Sequence, residues 1–107
     1  MLTEYCVVFC TCPDAAVAEN IAQQLTESRL VACTNIVPHL KSIYFWESKV
    51  TEGTEVLMVM KTKQKKLVDL EKALLKLHPY KFPEFIAMPI MYGNSDYLKW
   101  VEEVVQD

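Results

Sequence analysis

The sequence predicts an α+β domain in which two strand–helix–strand units contribute to one antiparallel sheet. Three observations carry that prediction. Apolar residues recur at spacings of three and four over 18–25 and again over 67–77, the pattern of two amphipathic helices. Between the helices runs SIYFWESKVTEGTEVLMVMKTK, 42–63, whose β-branched and aromatic content reads as a long hairpin. Apolar runs at 4–10 and 85–92 then supply one more strand on either side.

Glu4 to Cys10 reads as a strand apolar enough to lie centrally in a sheet. Thr11-Cys12-Pro13-Asp14 breaks its pattern. A proline near the first helical position, Thr11 as the expected cap, and Asp14 and Glu19 early in the segment mark a helix start. Ala18, Ile21, Ala22 and Leu25 form its apolar face, and it ends near Ser28-Arg29. A second strand begins at about Val31. Pro38-His39 is expected to bend or bulge it, because proline has no N–H to give a ladder. The hairpin turn is expected at Glu52-Gly53, where the glycine can take a positive φ. Leu67, Leu70, Leu74 and Leu77 line one face of the second helix, and Pro79 stops it by pushing His78 out of helical geometry. Tyr80 to Glu84 is an extended, proline-braced connection. Phe85 to Tyr92 forms the last strand, with Pro89 assigning it to an edge or a bulge. Gly93-Asn94-Ser95-Asp96 turns and caps a C-terminal helix that carries Tyr97, Trp100, Val101 and Val105.

This βαββαβ order with an extra C-terminal helix is the ferredoxin-like arrangement, a four-stranded antiparallel sheet with helices on one face. Neither strand of the hairpin alternates cleanly, so both faces want cover, and two helices cover only one. A broad apolar face left open invites aggregation unless another subunit buries it. An oligomer is therefore expected.

The 107 residues suit a single domain spanning 1–107. With 51% hydrophobic and 23% charged residues the chain is globular. A formal charge of −3 argues against a nucleic-acid surface. No apolar run is long enough to span a bilayer and no targeting segment stands out, so no membrane partner is expected. The four cysteines, Cys6, Cys10, Cys12 and Cys33, then read as reduced thiols of a cytoplasmic protein. Nothing in the sequence joins Cys33 to His39 or His78 with an orienting third group, so no enzyme is expected.

Several blocks, spread over nearly the whole chain, resemble the CutA family of divalent-cation tolerance proteins. They are Thr11-Cys12-Pro13-Asp14, LVACTNI at 30–36, SIYFWE at 42–47, Glu55, Lys61-Thr62, His78-Pro79-Tyr80, Pro83-Glu84 and YLKW at 97–100. The resemblance implies a PII-like homotrimer whose long hairpins exchange around a threefold axis, associated with copper and other divalent metals. Two positions depart from the pattern: Ser48 and His39 stand where glycine is usual. The resemblance also implies a copper site at Cys10 and His78, with Leu77 in place of a further histidine. Cys12 adds a candidate thiol, since residues two apart on a strand share a face. Thiolate and imidazole suit copper or zinc, whereas magnesium and calcium want oxygen ligands. Copper is the expected metal and zinc the other. The alternative is a PII-like small-ligand sensor without essential metal, its cleft lined by Trp46, Lys61, Glu84, Tyr97 and Trp100.

Overall fold

The computed structural model describes residues 3–106. Along β1 (Tyr5–Cys12) burial alternates at every residue: Cys6, Val8, Cys10 and Cys12 are buried, while Tyr5, Val7, Phe9 and Thr11 are half-buried. That period places two different layers against the strand. β1 is central in a four-stranded sheet of order β2-β3-β1-β4, formed with β2 (Cys33–Trp46), β3 (Lys49–Lys63) and β4 (Ile86–Pro89). Its pairings with β3 and β4, and that of β3 with β2, are antiparallel. The crossovers are helices α1 (Ala15–Glu27) and α2 (Leu67–Leu77), and α3 (Ser95–Val104) follows β4. This is the ferredoxin-like order with its additional helix.

Local chemistry explains the helix ends. Asp14, not Thr11, caps α1, its Oδ1 accepting from the Val17 N–H at 2.9 Å. The short Asp side chain reaches the free N–H groups of the first turn, whereas Thr11 is still paired in β1, opposite Leu57. At the other end Arg29 takes φ 59°, its N–H donates to Thr26 O, and Leu30 N–H reaches back to Leu25 O. This is a Schellman closure with arginine where glycine is usual. Asn94 caps α3 from the turn expected for it, and His78 leaves α2 in extended geometry before Pro79.

The hairpin differs from expectation in its turn. Trp46 pairs with Lys49, so Glu47 and Ser48 form the two-residue connection, both at positive φ (49° and 66°). Gly53 lies within β3 opposite Ser42, without positive φ. The later turn would forfeit the pairing of Ile43–Trp46 with Lys49–Glu52, residues rich in β-branched and aromatic side chains that gain from cross-strand contact. β2 is also longer than a Pro38 break implies. Its register shifts between Val37 and Leu40, with His39 at φ 61°, and pairing resumes beyond this bulge. β4 is shorter than 85–92, holding only Ile86–Pro89, and lies at the sheet edge as its proline requires.

Two cores result. Val8, Cys10, Cys12, Val56, Met58 and Met60 on one sheet face pack against Ala18, Ile21 and Leu25 of α1 and Leu70 and Leu74 of α2. The second is small: Val101 and Val105 meet Ala32 and Tyr5, so α3 covers only one end of the opposite face. Lys63, buried and paired with Tyr5 on that face, reaches Glu102 at 3.3 Å. The rest of the face carries Val7, Phe9, Leu57 and Val59, half-buried, and Val37, Ile86 and Met88, exposed.

Candidate metal centre and adjoining cleft

β1 ends with two thiols on its buried face, and α2 ends with an imidazole beside them. The Sγ atoms of Cys10 and Cys12 and the ligand nitrogen of His78 lie within 4.8 Å of one another. All three residues are buried. The Cys12 Sγ lies 3.7 Å from His78 Nε2. Placing the histidine required Pro79: by ending α2 it sets His78 extended, and the ring turns back toward β1.

Hydrogen bonds define the imidazole's state. The Tyr80 N–H can only donate, and it points at Nδ1 from 3.1 Å, so Nδ1 is the bare nitrogen. Nε2 then carries the proton and donates to Thr11 O at 2.8 Å. The same carbonyl accepts the Cys10 thiol at 3.6 Å. Thr11 O therefore holds two of the protons that a bound metal would displace. The neighbouring Cys12 sulfur and then burial push the Cys10 thiol well above the ordinary value, and Cys10 in turn draws Cys12 below it. Two thiols and one imidazole form a soft donor set fitting copper or zinc. Among the described residues no other group of three such donors is this close.

Beside the cluster opens a cleft of about 730 Å³ between the hairpin and segment 79–84. Thr11 and Pro79 join it to the metal donors, and its walls include Tyr44, Trp46, Tyr80, Phe82, Glu55 and Glu84. The Tyr80 hydroxyl donates to Glu55 Oε2 at 2.7 Å; burial and then this bond push the phenol above its usual value. Trp46 meets Phe82 edge to face at 6.2 Å, and its indole N–H donates to Glu47. Of the five residues expected to share a cleft, Trp46 and Glu84 line this one. Lys61 instead bonds Asn35 on the open sheet face. Tyr97 and Trp100 meet at a tilt on α3 with ring centroids 5.7 Å apart, and the Tyr97 hydroxyl lies 3.5 Å from Cys33 Sγ. Glu55 owes its place in the cleft to Tyr80, 25 positions on, which only the tertiary structure brings to it. The His-Pro-Tyr and Pro-Glu motifs were the available signal.

The fold and the cluster together define a split βαβ domain that gathers two buried thiols and an imidazole where β1 and α2 meet. The model of the CutA1 divalent ion tolerance protein matches residues 6–104, and the chain belongs to that family. It is 46% identical over 97 residues to the divalent-cation tolerance protein CutA of Thermus thermophilus, covering 91% of this chain and 94% of that one. A CutA homolog of Xenopus laevis is 43% identical over 99 residues, 92% of this chain. The chain spans 55–66% of the length of the vertebrate relatives it matches. Among solved structures, CutA1 of Oryza sativa superposes with a TM-score of 0.96 at 35% identity, covering 99% of this chain and 97% of that one. The Archaeoglobus fulgidus protein, described as periplasmic, superposes at 0.93 with 35% identity, covering 95% of this chain and 99% of that one. No helix among the described residues is long and apolar enough to cross a membrane.

Proposed function

We propose that the chain is one subunit of a cytoplasmic homotrimer that binds copper, with zinc as competing cargo, at Cys10, Cys12 and His78, and so contributes to metal tolerance. It acts as a binding protein, not an enzyme. One observation carries this reading: three soft donors, buried and within 4.8 Å, at the meeting of β1 and α2. Support for assembly comes from the apolar sheet face that α3 leaves open. Free thiols in all four cysteines agree with a reducing compartment.

Binding through Nε2 moves the ring proton to Nδ1, where it would confront the Tyr80 N–H. That hydrogen bond turns into a donor–donor contact, so loading requires Tyr80 to shift. Chelator-competition titration of the wild type beside Cys10→Ser, Cys12→Ser and His78→Ala tests the site. Fixed stoichiometry of one metal per chain, lost in the variants, together with a displaced Tyr80 amide resonance, is the expected result. Weak binding insensitive to all three changes would end the metal reading. A second reading, a PII-like ligand sensor with no essential metal, draws support from the cleft alone.

A further inference from the structure

The cleft combines features that a metal vestibule does not need. Four aromatic side chains, Tyr44, Trp46, Tyr80 and Phe82, line it together with two carboxylates, Glu55 and Glu84. Hydrated divalent ions gain little from ring faces, because replacing their water demands oxygen, nitrogen or sulfur donors. An anion would meet the carboxylates of Glu55 and Glu84 in the cleft wall and be repelled by them. An uncharged apolar guest would strip water from those carboxylates and return nothing to them. Organic ammonium ions fit all of these requirements. They are weakly hydrated, bind the electron-rich faces of aromatic rings, and complement carboxylates at close range. The chain already shows one such contact at the rim, where the Lys81 ammonium sits 5.4 Å from the Phe82 ring centroid.

We infer that the cleft between the hairpin and segment 79–84 is a binding site for a small organic ammonium ion, held by Tyr44, Trp46 and Phe82 and by the carboxylates of Glu55 and Glu84. This rests on the second reading above, that the cleft is a ligand site, and gives that ligand a chemical class. Tyr80 positions Glu55 through its 2.7 Å hydrogen bond, leaving the carboxylate's other oxygen for the guest. The volume of about 730 Å³ lies within the range of small-molecule sites and exceeds what the ammonium head needs, so an attached organic body can be accommodated. Lys81, which also lines the cleft, is the guest's competitor in charge.

The test is an NMR titration of the full chain with tetramethylammonium and with choline, following the Trp46 indole N–H and the Tyr44 and Tyr80 amides. Saturable shifts confined to the cleft are expected. Glu84→Gln should weaken choline binding by about tenfold, and Tyr44→Ala by about three- to tenfold, the loss of one close charge and one cation–π contact. Lys81→Ala should strengthen it, a sign that a merely structural perturbation would not produce. Choline's uncharged isostere, 3,3-dimethyl-1-butanol, separates the two layers of the claim. If it binds as well as choline, the cleft is a ligand site but the ammonium assignment is wrong. If neither compound shifts these resonances at high concentration, the cleft reading falls with it, and the metal reading is untouched.

Discussion

The two faces of the sheet are built from the same strands and live in different surroundings. On β3, Val56, Met58 and Met60 are buried under α1 and α2, while Leu57, Val59 and Lys61, alternating with them, are only half-buried. Both sets are largely apolar. The helices supply a complete second layer to one set, and α3 supplies the other with a partial one around Ala32, Val101 and Val105. Apolar content alone therefore does not define a core; a second layer does.

The largest effect should come from the covered face. Met58→Ala removes a fully buried side chain, and denaturant unfolding should show a loss of about 2–5 kcal/mol. A loss below about 1 kcal/mol would mean that the face is less tightly packed than its burial states. On the other face Ile86, 52% exposed, should behave differently. Ile86→Asp should shift chain stability by only about 0.5 kcal/mol, as for other exposed sites, yet sedimentation should show assembly lost. An intact oligomer would remove the open face as the proposed interface. Beyond both layers, the hairpin tip holds Ser48 at φ 66°, a region costing an L-residue roughly 1–2 kcal/mol relative to glycine. Ser48→Gly should raise stability by about 1 kcal/mol in thermal melts, and no gain would show that the turn relaxes otherwise.

The smallest effect belongs to α3. Burial, then the contact with Cys33, pushes Tyr97 up to about 12 from 10.0. The folded chain thus holds this proton where the unfolded chain releases it, so stability falls as pH rises from 10 toward 12. Tyr97→Phe should flatten part of that decline, reduced in size by the residue's solvent exposure. An unchanged profile would assign the decline to Tyr5 and Tyr80, which are also raised.

Short-range patterns in the sequence determined most of the architecture. The leucine spacing of α2, the stop at Pro79, the Asn94 cap and the edge position of Pro89 each depend on backbone geometry within a few residues. The pairing of Cys10 with His78 came from the family resemblance, not from a local pattern; only the soft donor character of thiol and imidazole belongs to the side chains themselves. Tertiary structure decided what depends on distant partners. The turn moved from Gly53 to Glu47-Ser48 because strand pairing outweighed a local preference for glycine. Cys12 reached His78 across 66 residues only because α2 packs back over β1. Arg29, whose guanidinium bonds the Glu103 and Val104 carbonyls at the end of α3, had no local signal at all. The same holds for the cleft, where Lys61 and Trp100 parted from Trp46 and Glu84. Periodicity assigns a residue to a face of its own element, but which elements share a site follows from register and packing, and these are settled only when the whole chain closes on itself.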